Sequence, residues 1–213
     1  MSKIKNFLRG EIHYRVVLDF LSKLKGNFNL LEVGAQGEAI KEYIPKNVSY
    51  SSLDMEGNSD YKVDLNKQKI PVKNNTFDIL VCLETLEHTL YPKKVLKELK
   101  RVTKKEGFFI LSMPNDYNLW LRLNYLFGIK SKLTDEPFEV VSKLQHIHKP
   151  RVKDILDLFS ENFKIIKVIP IWQSRIGANN NFFYGVDILI GFLAKICPNL
   201  FARLIVIIAK NKA

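Results

Sequence analysis

The stretch Leu30-Leu31-Glu32-Val33-Gly34-Ala35-Gln36-Gly37 decides the fold. A short apolar strand, Leu30–Val33, runs into a turn with two glycines. The segment Glu38–Ile44 then reads as a helix ended by Pro45. Strand, glycine turn and helix form the first unit of an open α/β sheet, and in such sheets ligands bind at the carboxyl ends of strands, where the strand order reverses. Gly34 and Gly37 let the backbone approach a ligand with no Cβ in the way. A helix N-terminus after them would offer free N–H groups to an anionic group.

The same alternation extends in both directions. Before the turn, Ile12, Val16, Val17, Phe20, Leu21 and Leu24 recur at helical spacing over residues 12–25. After it, strands are predicted at Val48–Leu53, Tyr61–Leu65, Thr76–Leu83, Phe108–Met113, Phe163–Ile171 and Leu204–Ala209. The apolar run in Thr76–Leu83 suits a strand buried on both faces. Pro92 starts a helix with Val95, Leu96, Leu99 and Val102 inward and lysines outward, stopped at Gly107. Further helices are expected at Val152–Leu158 and near Val186–Ile196. With no linker or repeat, residues 1–213 read as one α/β domain with a Rossmann-like, doubly wound sheet of about seven strands, mostly parallel, with helices on both faces. Residues 115–150 and 172–200 are expected to form segments on the substrate side.

Composition narrows the class. Two cysteines, Cys82 and Cys197, are too few for a disulfide framework, and the N-terminus lacks an apolar run of signal-peptide length. Both point to a cytoplasmic protein. The formal charge of +11 is compatible with a polyanionic partner, but 26 of the 33 basic residues are Lys and no block of like charge occurs. A lysine-rich composition therefore explains the charge better, and no nucleic acid is expected.

Asp54 closes the second strand, twenty residues after Gly34. A carboxylate there can accept both hydroxyls of a ribose. No Gly-Lys-Ser/Thr follows the turn, and Gly-x-Gly-x-x-Gly is absent. The pattern thus fits a nucleoside cofactor without a pyrophosphate.

The passage Phe77-Asp78-Ile79-Leu80-Val81-Cys82-Leu83-Glu84-Thr85-Leu86-Glu87-His88 resembles the fourth-strand signature of small-molecule class I S-adenosylmethionine (SAM)-dependent methyltransferases, the "type 11" kind. Pro71, Asn74–Thr76, Leu96, Glu98-Leu99, Arg101-Val102, Gly107 and Ser112-Met113-Pro114-Asn115 resemble the same family's flanking elements. His146-Ile147-His148, Val152–Phe159 and Phe163–Val168 are similar to the passage before its sixth strand, and Leu204–Lys210 to its antiparallel seventh.

The resemblance implies SAM as cofactor. Glu32, Gly34, Gln36 and Gly37 would then line the methionine portion, with Glu32 towards the ammonium. Asp54 would hold the ribose, Met55 would pack on the adenine, and Asp64 and the backbone of Leu65 would meet its edge. Leu83 and Glu84 would flank the sulfonium. Family members usually carry Glu/Asp-x-Gly-x-Gly-x-Gly; here Gln36 takes the middle glycine position and Gly37 comes one residue early.

Methyl transfer chiefly demands orientation, since the cofactor already activates the methyl group. A base is needed only where the acceptor must lose a proton. His88, His146 and His148 are the candidates, each with a structural role as the alternative. No third metal ligand at motif spacing accompanies His146 and His148, so no metal is expected. Trp120, Tyr125 and Phe127 are candidates for an acceptor pocket or for lid packing. The apolar stretch Val186–Ala209 is either a core helix and strand or a helix resting on a membrane surface. The expected acceptor is a small molecule, a glycan or a lipid-linked compound. The alternatives are a nucleic-acid methyltransferase and a SAM-fold protein that has lost catalysis.

Overall fold

The computed structural model describes residues 11–129, 146–172 and 181–212. Its centre is a seven-stranded sheet in the order β3-β2-β1-β4-β5-β7-β6. The strands are β1 Phe28–Val33, β2 Val48–Asp54, β3 Tyr61–Lys62, β4 Phe77–Cys82, β5 Thr103–Pro114, β6 Phe163–Ile171 and β7 Leu204–Asn211. β1 pairs in parallel with β2 and β4, β2 with β3, and β4 with β5. β7 is antiparallel to both of its neighbours, β5 and β6. The order reverses between β1 and β4, so the two strand ends carrying Val33-Gly34 and Cys82-Leu83 face one crevice.

Side chains alternate across the sheet with the period of two that strand geometry imposes. Leu31, Val33, Leu80, Cys82, Phe109, Leu111, Ile205 and Ile207 enter one core layer. Leu30, Ile79, Val81, Ile110 and Val206 enter the other. The first layer is covered by α2 (Pro92–Val102) and α4 (Val152–Asn162), through Val95, Leu99, Ile155 and Phe159. The second is covered by α1 (Ile12–Leu21), through Val17 and Leu21. Cys82 lies buried on β4 without a disulfide, and burial pushes its thiol up to about 12.

Three local expectations are corrected. Glu38–Ile44 is no continuous helix but two single 3-10 turns, Gln36–Glu38 and Lys41–Tyr43. Gly37 and Glu38 have φ values of 73° and 51°, and Glu38 accepts from Ser52 Oγ at 2.7 Å and Lys41 Nζ at 2.8 Å. These bonds hold the chain against β2 instead of letting it wind. The helix from Pro92 ends at Val102, because Thr103 turns to extended backbone while its Oγ1 donates to Leu99 O. Gly107 therefore lies inside β5, at an irregularity in its pairing with β4, where an added Cβ would come within 2.7 Å of Thr103 Cγ2 and 3.0 Å of Asp78 O. The third strand covers only Tyr61–Lys62, since Asp64 already turns back to accept from Asn66 N.

Beyond β5, α3 (Leu119–Leu126) begins with Asn118 as its cap, the side-chain oxygen accepting from Leu121 N. After β6 come α5 (Asn181–Ile196) and the short α6 (Pro198–Phe201), on which both α3 and α5 rest. Of the expected substrate-side segments, 130–145 and 173–180 lie outside the described residues.

Candidate functional site

Two cavities flank the crevice where the strand order reverses. One is a groove of about 130 Å³ lined by Gly34, Asp54, Met55, Asp64, Leu65, Thr85 and His88, among others. It gathers the predicted ribose and adenine residues from the ends of β2 and β3. Asp54 is the last residue of β2, half-buried, and its Oδ1 accepts from Glu56 N at 3.1 Å. Asp64 accepts from Asn66 N and pairs with Lys67 at 3.1 Å, and these partners hold its carboxyl below the usual range. Asn66 Oδ1 in turn accepts from Leu90 N at 2.7 Å, tying this loop to the segment after β4.

The turn after β1 makes the floor of the groove. Gly34 adopts φ +74°, and a Cβ placed on it would stand 2.2 Å from Thr85 Oγ1 and 2.9 Å from Thr85 Cγ2. Its N–H, with that of Ala35, donates to Leu53 O. Gln36 and Gly37 are exposed, and nothing lies within 4 Å of a Cβ built on Gly37. The Gln36 side chain thus stands on the surface of the turn and does not crowd Gly34.

Glu32, one residue from the end of β1, is 3% exposed. Tyr50 from β2 donates to its Oε2 at 2.5 Å. Burial pushes the Glu32 carboxyl up to about 6; the Tyr50 bond offsets part of this, and Glu38 adds repulsion. Tyr14 of α1 also feels Glu32 and Glu84, and burial together with those charges raises its phenol. Sequence reasoning missed both tyrosines. Tyr50 and Ser52, polar residues two apart on an inner strand, were the available signal; for Tyr14 there was none.

The second cavity, about 290 Å³, lies on the β5 side. Glu84, Asn115, Asp116, Trp120, His146 and Arg203 contribute to its lining. Asn115 is buried, and its Nδ2 donates to Ala202 O at 2.9 Å. Asp116, 3% exposed, accepts from His146 Nδ1 at 3.1 Å. Trp120 is on this wall as expected of an acceptor pocket. Tyr125 and Phe127 are not among its lining residues, and Phe127 is 70% exposed.

The histidines separate by role. His88 lines the first cavity and His146 the second, and their rings meet edge to face at 5.2 Å. His148 is set apart, its Nε2 against Thr89 O at 2.9 Å. Although His146 and His148 have no third ligand at motif spacing, folding brings Glu87 and His88 beside His146. Glu87 is fully buried; desolvation, reinforced by Glu84 and Asp116, raises its carboxyl well above the ordinary range, while its own backbone N–H offsets a little.

Substituting Gly34→Ala should destabilise the chain by about 1–3 kcal/mol through the left-handed φ alone, with the Thr85 clash added. Thr85→Ala in the same chain should relieve the clash and not the strain, which urea denaturation of the double-mutant cycle would read. The raised Glu32 carboxyl stabilises the ligand-free fold fully below about pH 4.5, and this contribution is lost as pH rises through about 6. The wild-type minus Glu32→Gln difference in unfolding free energy should therefore decline over that window and level off above it.

Residues 39–111 match the family described as methyltransferase domain, a match that begins just past the glycine turn. The protein MJ0638 of Methanocaldococcus jannaschii is 31% identical over 105 residues, 49% of this chain and 38% of the relative; the chain thus aligns with well under half of that protein's length. Among solved structures, BH2331 of Bacillus halodurans superposes with a TM-score of 0.59 at 16% identity, over 93% of this chain and 98% of that one. A SAM-dependent methyltransferase from Archaeoglobus fulgidus superposes with a TM-score of 0.59 at 14% identity, over 95% and 94%. The chain thus shares its fold with these structures, and residues 39–111, which include the Phe77–His88 passage and the groove residues Asp54 and Asp64, match the methyltransferase-domain family.

Proposed function

We propose that the chain transfers a methyl group from SAM to a lipid-linked acceptor, within the wider class of small-molecule, glycan and lipid-linked acceptors. The cofactor groove supports SAM. Asp54 suits the ribose, Asp64 and Leu65 the adenine edge, and ionised Glu32 the methionine ammonium. The second cavity, with Glu84 on its wall, is the place for the acceptor. An acceptor hydroxyl in that cavity would lie beside His88 and His146, whose rings meet between the two cavities.

The observation that carries the lipid-linked reading is the apolar surface beside the acceptor cavity. On α3, Trp120 and Leu126 are 64% and 74% exposed; on α5, Ile188, Leu189 and Phe192 are 58–61% exposed. Of the two readings of this stretch, a core helix fits poorly, since Ala194 is the one buried residue of α5 among those described. No described helix is long and apolar enough to cross a membrane. A helix with this much apolar exposure in a chain of charge +11 suits the surface of an anionic bilayer.

Calorimetry with S-adenosylhomocysteine should show binding that Asp54→Ala weakens roughly tenfold to a hundredfold, the worth of one or two charge-assisted hydrogen bonds. Affinity should fall as pH drops below about 6, where Glu32 takes up its proton. No binding at millimolar ligand would overturn the SAM reading. The chain should also co-sediment with phosphatidylglycerol vesicles, and Leu189→Glu with Phe192→Glu should release it. Protein that stays in the supernatant at every lipid concentration would leave a soluble acceptor instead.

A further inference from the structure

Glu87 is the least satisfied polar group at the crevice. It is 0% exposed, and neither carboxylate oxygen has a hydrogen-bond partner beyond its own residue among those described. Burying an unpaired carboxylate is costly, so a proton or a cation must neutralise it. Its surroundings favour the cation. His88 Nε2 stands 4.0 Å from Glu87 Oε1. One ligand atom from each of Glu87, His88 and His146 lies within 4.8 Å of the others. Ligand atoms around a four-coordinate ion are about 3.4 Å apart, given metal–ligand bonds of ~2.1 Å. Side-chain adjustments of about an ångström would therefore close the set, with no change of backbone.

Asp116 supplies the second half of the case. Its carboxylate accepts from His146 Nδ1 at 3.1 and 3.2 Å. A histidine held this way keeps its lone pair on Nε2, the arrangement in which carboxylates orient metal-bound histidines. Glu84 and Asp116 also bring negative charge close to Glu87, in a chain whose net charge is strongly positive.

We propose that Glu87, His88 and His146 bind a divalent transition-metal cation, with Asp116 as the positioning residue for His146. Two imidazoles and a carboxylate suit Mn²⁺, Fe²⁺, Co²⁺ or Zn²⁺ better than Mg²⁺ or Ca²⁺. On the reading that the adjoining cavity holds the acceptor, an acceptor oxygen completes the coordination. The site then selects acceptors with a hydroxyl or carboxylate next to the methylated position.

Chelator-stripped, tag-free protein should be titrated with MnCl2, following free Mn²⁺ by electron paramagnetic resonance, and with ZnCl2 by calorimetry. One equivalent per chain is expected. Glu87→Gln and His146→Ala should each weaken binding at least tenfold, and Asp116→Asn by roughly 10–100-fold. S-adenosylhomocysteine binding, measured on the same samples, should persist in Glu87→Gln and His146→Ala and so report that the variants are folded. No stoichiometric binding by the wild-type chain, or binding that survives both ligand substitutions, overturns the site. A chain that binds S-adenosylhomocysteine but no cation overturns the metal site alone; one that binds the cation but no S-adenosylhomocysteine overturns the methyl-transfer reading alone.

Discussion

The crevice exists because the ends of β1 and β4 come closer than two side chains permit. Gly34 lies so near Thr85 that no Cβ fits between them. Thr85 Oγ1 donates to Leu83 O at 2.9 Å, with Val33 O at 3.3 Å, so the hydroxyl joins the two strand ends. The sheet order reverses at this point, which leaves no strand to cover the ends. The groove opens from this contact, over the β2 and β3 ends, and the larger cavity lies beyond Glu84, over the β5 end.

The two halves of the crevice are built differently. The groove is made of short loops braced by their own carboxylates, as Asp54 with Glu56 N and Asp64 with Asn66 N show. The second cavity depends on residues far apart in sequence. Asn115 reaches the carbonyl of Ala202, and Asp116 reaches His146. The groove is thus set by neighbouring residues, while the other cavity takes its shape only once segments thirty to almost ninety residues apart have come together.

Legibility in the sequence followed the same division. Leu30–Val33 and Phe77–Cys82 could be read because strands buried on both faces become continuous apolar runs. Asp54 could be placed from its spacing to the glycine turn, whereas Asp64 and Leu65 were implied only by the family resemblance; all three line the groove. The helix after Gly37 was misread because helical propensity in Glu38–Ile44 loses to the bonds from Glu38 to Ser52 and Lys41. In the sequence Gly107 reads as a helix stop, whereas in the fold it sits where β4 and β5 crowd and a Cβ would clash. Glu87 was visible as part of a motif, but its lack of partners is a property of the folded interior. The Asp116–His146 pair spans thirty residues, and no periodicity reports such a contact.

The buried thiol of Cys82 has a consequence for how the surface can be altered chemically. With ionisation pushed to about 12 and no access to solvent, it is inert to alkylating reagents in the folded chain. Cys197, which precedes α6 and is partly accessible, is the sole other cysteine. A single thiol-directed label therefore marks the junction of α5 and α6, next to the apolar helices, and leaves the central sheet untouched.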